Sequence, residues 1–442
     1  MLLVAEHFPH VLRGIYVRVT LPVIPWAMLR LHNEHSRAFR GRYSPESNPL
    51  GVEIVESQYW QHVRTVDVVG PPQVGKTFHA CELPTLFDLA ETRETVFYMN
   101  GSEDNARNLW TSRWRGSMRA DPVLRQELLD KQDGGRFDER HFAGGGLLYS
   151  AGPESAAMLS QRESRIVRCS ELEKTKGALG NEASSYALAK DRAAAYPSTS
   201  IVVTDCTITV EEGIAWRRFA AGDRSRPFIP CPACGRYACP VHPRHLSDET
   251  AAALALKEPD VHLLEIPELA SSSPAAAEEL AVLRCACGAA IGNADFRRAC
   301  RAVVWVPVGC RVARASTAPA LPTVAWLDDL NRWAGEALAD PDVVEGQTNP
   351  PAPPKWKGPR LPEGVTLEWT PEAPAGAAAA GEILPALRPD PRQASARSFW
   401  MWRLFSPKHT IGQVAREIVE GELGDLDLQK TMAQKCLVLP WK

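Results

Sequence analysis

The sequence has no apolar stretch long enough to cross a bilayer. Its N-terminus, Met1 to Arg30, contains apolar residues, but Glu6, His7, His10, Arg13 and Arg18 interrupt them. That pattern excludes a membrane span and a secretory leader. Charge of one sign is also lacking. A formal net charge of -3 excludes binding to nucleic acid through overall basicity, so any such surface has to be a local patch. No internal repeat is apparent. What remains is a soluble, globular, intracellular class, and 442 residues are enough for two or three domains, each with its own core. Eleven cysteines without a secretory segment point to reduced thiols and a metal site rather than to disulfides.

Against these absences stands Gly70-Pro71-Pro72-Gln73-Val74-Gly75-Lys76-Thr77, which fits the phosphate-binding pattern Gly-x4-Gly-Lys-Ser/Thr without a mismatch. The preceding Thr65–Val69 run supplies the strand that the pattern requires. Backbone N–H groups of the loop and of the following helix would wrap the phosphates, Lys76 would sit on the outer oxygens, and the Thr77 hydroxyl would hold Mg2+. Glycine is expected at 70 and 75 because a side chain there would hold the backbone away from the anion. The reading is nucleotide binding.

Residues 1–60 read as a helical lead-in. Residues 61–227 alternate short apolar runs with helical stretches, the rhythm of a parallel α/β sheet, with candidate strands at Val66–Val69, Thr95–Met99, Leu147–Ser150, Arg165–Cys169 and Ser200–Thr204. Residues 228–314 place cysteine pairs around Ala/Glu/Leu-rich stretches, Asp248–Leu256 and Ala275–Leu283, that would be helical. Residues 315–397 read as a Pro/Ala-rich linker or insertion, and 398–442 as a helical C-terminal segment.

An NTP hydrolase also needs an apolar strand ending in acids that hold Mg2+ and polarise the attacking water. Arg165–Glu171 is the candidate, with Glu171 as the catalytic carboxylate and Ser170 on the magnesium side; an exposed Ser-Glu at a strand end would look the same. Glu173 and Asp205 are other acids that could substitute. Thr204, Asp205 and Thr207 follow the next strand, where a γ-phosphate-sensing, coupling segment is expected. Arg192 in the preceding helix is a candidate arginine finger, in cis or in trans.

Cys231-Pro232-Ala233-Cys234-Gly235 has the knuckle form of a zinc ribbon, and Cys285-Ala286-Cys287-Gly288 gives a second pair about 50 residues later, so a small zinc-ribbon-like insertion is expected. Structural Zn2+ is expected on these four thiolates, although the single-residue spacing of the second pair is tight. Cys239, His242 and His245 are alternative ligands. Arginines at 107, 113, 115 and 119, interleaved with Trp110 and Trp114, and again at 217, 218, 224 and 226, form two patches that either track a phosphate backbone or coat solvated helices.

Taken in order, these parts resemble the large terminase subunit of tailed bacteriophages, in its lambda-like GpA branch. The resemblance runs through Tyr59-Trp60, Gly70–Thr77, Val96–Met99, Trp110 and Trp114, Gly144–Leu148, Cys169-Ser170-Glu171-Leu172, Thr204–Thr207, Phe228–Gly235, Cys285–Ile291, Trp305-Val306-Pro307 and Phe399-Trp400…Leu404-Phe405-Ser406-Pro407. It implies a RecA-like core and an ATP-driven, Mg2+-dependent motor that pumps double-stranded DNA into an empty head. Its partners would be a small terminase subunit and the portal protein, with action as a homo-oligomeric ring in the bacterial host cytoplasm and no membrane. Ser170 departs from the aspartate usual there, which bears on the hydrolysis rate. Leu437–Trp441 matches the junction that normally leads into a nuclease domain, so cleavage is expected from a separate chain, or the gene is a truncated prophage copy. The competing readings are another P-loop DNA-dependent, helicase-like ATPase, and a degenerate nucleotide- or DNA-binding remnant without turnover.

Overall fold

The computed structural model describes residues 20–32, 41–129, 135–136, 138–160, 162–175, 177–179, 182–210, 213–247, 254–256, 260–355, 360–369 and 394–441. Most of the helix expected at Asp248–Leu256 lies outside them. A seven-stranded sheet organises the first half of the chain: β1 (Thr65–Val69), β2 (Thr95–Met99), β3 (Glu139–His141), β4 (Leu147–Ala151), β5 (Ile166–Ser170), β6 (Ile201–Cys206) and β7 (Ala396–Trp400). Their order is β7-β1-β6-β5-β2-β4-β3. All neighbours pair in parallel except β3, which runs antiparallel to β4. The runs at β1, β2, β5 and β6 are rich in β-branched and apolar residues because helices cover both faces, and their interiors are buried accordingly.

The five candidate strands are all present, each within a residue or two of the expected bounds. β7 is different. It straddles the boundary drawn at 397/398 and pairs with β1 from Ala396↔Thr65 to Trp400↔Val69, so the C-terminal segment contributes a strand to the central sheet. Arg397 anchors it: fully buried, it binds Asp223 at 2.5 Å and Glu53 at 2.7 Å and lies over the rings of Trp60 and Phe399.

A second, six-stranded sheet has the order Ala290–Ile291, Val282–Cys285, Val261–Glu265, Tyr237–Val241, Arg226–Pro230, Val304–Val306. The Ala/Glu-rich stretch forms the helix Pro274–Leu280, N-capped by Ser273, and ends before the strand at Val282. Part of the segment expected as linker is packed structure. Ala325–Ala339 is a helix whose Trp326, Leu327, Leu330, Trp333, Ala334 and Ala337 recur at helical spacing and are buried. It packs on the buried helix Val23–Leu29, while Val365–Trp369 pairs with Cys310–Arg314. Tryptophan and leucine at the right period outweigh a Pro/Ala-rich flank.

Candidate nucleotide and metal sites

The glycine loop leaves the C-terminal end of β1 and enters a helical stretch that begins at Lys76 and continues through Phe78–Glu82. Gln73 (φ 67°) and Gly75 (φ 85°) are left-handed, and left-handed residues alternating with right-handed ones turn successive N–H groups toward one concavity. Pro71 and Pro72 have no N–H, so the donors facing an anion come from Gln73 onward. The loop carbonyls are engaged elsewhere. Pro72 O accepts from Arg403 Nη1 at 2.8 Å, Gln73 O from Ser406 Oγ at 3.1 Å, and Gly75 O from the His79 backbone at 3.0 Å. Removing those negative dipoles from the cradle favours an anion there. The reason for glycine at 70 is not the expected one: an added Cβ would lie 3.0 Å from Met401 Cγ and 3.2 Å from Val74 Cγ2, so the constraint is packing against the C-terminal segment. At 75 the positive φ carries it.

Thr77 Oγ1 donates to Asp205 Oδ2 at 2.6 Å. Asp205 is on β6, between β1 and β5, in register with Val68 on one side and Ser170 on the other. Thr204 Oγ1 donates to Asp67 Oδ1 at 2.5 Å, Thr207 Oγ1 to Gly70 O at 3.0 Å, and Gly70 N to Cys206 O at 3.1 Å. The proposed coupling residues are therefore bonded directly to the glycine loop and its strand. Ser170 closes β5, and its hydroxyl is bonded to that of the buried Tyr98, whose ionisation is pushed far up by burial.

Glu171 follows in a left-handed conformation (φ 59°, ψ 46°), a strain of about 1–3 kcal/mol for a non-glycine residue. Its carboxylate meets Lys174 Nζ at 2.9 Å, a largely exposed pair. Glu173 plays a structural part, accepting from Thr209 Oγ1 and from the Ala215 N–H at the start of helix Ile214–Ala221.

The arginine expectations fare less well. Arg192 donates to the Ser160 and Leu188 carbonyls and to Asp191. Its own carbonyl accepts from Ser164, ahead of β5, which puts it at the N-terminal edge of the sheet, opposite the glycine loop, and rules out a cis finger. Trp110 and Trp114 are buried core residues, so neither is a stacking platform for bases, and Arg113 is paired with Glu82. In the second patch Arg218 binds Asp67 at 2.7 Å, and buried Arg226 donates to four carbonyls, its pKa lowered to about 10 by burial. Sequence spacing did not distinguish these buried guanidinium groups from surface ones. Arg403 went unnoticed; the Leu404–Pro407 motif beside it was the available signal.

Cys231, Cys234, Cys285 and Cys287 converge, all four sulfurs lying within 4.8 Å of one another. Two cross pairs, Cys231–Cys287 and Cys234–Cys285, are 3.8 Å apart. That matches the edge of a sulfur tetrahedron around an ion with bonds of about 2.3 Å, roughly 3.8 Å. Each pair sits on a tight turn closed by a left-handed glycine: Gly235 N donates to Cys231 O and Gly288 N to Cys285 O. The second turn lets one intervening residue suffice where two are usual. The Ala289 N–H, then the neighbouring thiols, pull Cys287 down to about 7, while burial pushes Cys285 up. Cys239, His242 and His245 are elsewhere: the Cys239 thiol turns to Pro240 O, and His242 and His245 bond each other's turn and the Leu437 carbonyl.

A glycine-lysine loop thus lies at the strand ends of a mainly parallel α/β sheet, with a buried carboxylate bonded to its threonine. The family model of the phage terminase large subunit gpA, ATPase domain, matches residues 37–305, and the chain belongs to that family. No curated protein matches it. Membership supports an ATP-hydrolysing packaging enzyme with ATP and Mg2+, and implies DNA and packaging partners such as the portal. Among the described residues no helix is long and apolar enough to cross a membrane.

Proposed function

We propose that this chain is the motor subunit of a phage terminase, using ATP to drive double-stranded DNA through the portal into a procapsid. The observation that carries the proposal is the bond from Thr77 of the glycine loop to buried Asp205 on the neighbouring strand, in a chain of the gpA ATPase family. A RecA-like core is supported by the strand order, in which β6 separates the loop strand β1 from the acid-bearing β5. Lys76 holds the outer phosphate oxygens, with the loop 70–77 wrapped around them and its N–H groups from Gln73 onward donating. Thr77 and Ser170 face Mg2+, which when bound neutralises phosphate charge. Glu171 orients and polarises the attacking water. Thr204, Asp205 and Thr207 sense the γ-phosphate and pass its loss to the strands that they bridge.

The four cysteines hold a structural Zn2+. Partners are the small terminase subunit, the portal and further copies of the chain in a ring, in the host cytoplasm. A binding-only reading draws on Ser170 and on the Glu171–Lys174 pair. Phosphate release with and without linear duplex decides: stimulation by DNA, abolished in Lys76→Ala, is expected, and turnover indifferent to DNA would sink the motor.

A further inference from the structure

We infer that Asp205 supplies the anionic charge of the magnesium site, a role displaced by one strand from position 170. The inference rests on the nucleotide reading above. Position 170, at the end of β5, carries a neutral serine occupied with Tyr98. Its register partner across the β5–β6 ladder is Asp205, so the missing carboxylate reappears one strand nearer the glycine loop.

Burial and pairing set Asp205 apart from the other buried aspartates, except Asp121, which among the described residues also lacks an ion pair but is spent on the Leu31, Val123 and Leu124 N–H groups as a helix N-cap. Asp67, Asp88 and Asp223 are each buried and each neutralised by an arginine, Arg218 at 2.7 Å, Arg168 at 2.6 Å and Arg397 at 2.5 Å. Asp205 has no solvent exposure, yet among the described residues no lysine or arginine forms an ion pair with it. Its hydrogen-bond partners are a hydroxyl, Thr77 at 2.6 Å, and a thiol, Cys81 at 3.4 Å. A carboxylate buried among neutral donors has no counter-charge beside it, and placing its negative charge there is expensive unless a cation arrives. Thr77 spends its one proton on Asp205, which leaves the lone pairs of its oxygen for that cation. Hydroxyl and carboxylate oxygens are the donors that a hard divalent ion such as Mg2+ takes. Asp205 thus acts as a positioning residue: it fixes the Thr77 rotamer and sets the charge behind the ion.

The test is binding of a fluorescent ADP analogue to the full chain, in EDTA and across a Mg2+ titration. Asp205→Asn is expected to need roughly 10–100-fold more Mg2+ than the native chain for the tightening that Mg2+ brings, each chain being referred to its own binding in EDTA. The exchange Ser170→Asp with Asp205→Ser is expected to recover the native Mg2+ requirement. Ser170→Asp alone, with Asp205 in place, is expected to leave it unchanged or worse, because two carboxylates would then share one site. An unchanged Mg2+ requirement in Asp205→Asn overturns the inference, as does a tenfold or greater gain from Ser170→Asp alone. The second variant carries the test if the first does not fold. Failure of the native chain to bind the analogue at all, in either condition, would overturn the nucleotide reading as well, which separates the two failures.

Discussion

At the glycine loop, Thr77 and Asp205 meet across 128 positions of sequence, each placed by its own strand or helix and held by a deep shared core. At the cysteine cluster, four sulfurs come from two short turns whose glycines close them locally. The first arrangement exists because the sheet exists, and the ion that it suits is an exchangeable one with oxygen ligands. The second has two exposed members, Cys234 and Cys287, so there the ion is expected to help make the structure. One centre is framed by the fold; the other frames it.

Stripping the metal should break this comparison most visibly. Zinc sites of this kind are worth on the order of 10 kcal/mol. A chelator, or Cys285→Ser, should release one zinc equivalent by elemental analysis and melt the second sheet, with nucleotide binding at the loop retained. Loss of nucleotide binding at the same chelator concentration would show that the two regions are not independent. Arg168→Met probes the opposite side. It strands Asp88, whose partner at 2.6 Å is itself buried, and breaking such a pair costs about 3–5 kcal/mol, to be read from denaturant unfolding.

Glu171→Gln should lower DNA-stimulated turnover by about 10²–10⁴-fold while ATP binding persists; an unaltered rate would hand the catalytic role to another acid. The smallest effect is pH. Burial lowers His79, beside the glycine loop, to about 4 and His245, under the second sheet, to about 3. Both lie below the unfolded value, so the unfolded chain binds more protons below pH 6.5. Stability is then full above that pH and falls as acid is added, by about 2 kcal/mol per histidine at pH 5. His245→Gln and His79→Gln should each remove their share of the slope between pH 6.5 and 5.

The central strands were legible because buried parallel strands read as short apolar runs, and the loop because its glycine and lysine spacing is fixed by phosphate geometry. The four cysteines were legible by pairing alone. What sequence did not yield were long-range partners. Ala396–Trp400 carries Arg397 and Ser398, which no pattern marks as strand-forming, yet Arg397 is satisfied by Asp223 and Glu53, far from it in the chain. Arginine patches misled for the same reason: Arg218 and Arg226 look like surface charge until Asp67 and the carbonyls around 254 and 306 close on them. The argument for glycine at 70 was incomplete, since Met401 enters only when the chain returns.

The contact of Arg403 with the Pro72 carbonyl has a reach beyond the loop. Arg403 also binds Glu417 at 3.1 Å, and Glu417 belongs to helix Ile411–Leu423, whose far end presents Leu423 to solvent. Glu417 also meets His409, which bonds Ser406 and through it the Gln73 carbonyl, so a neighbour that tugs on that helix would tilt a rod tied at two points to the glycine loop. Mechanical strain arriving from outside would register there as a change in how tightly the nucleotide is gripped.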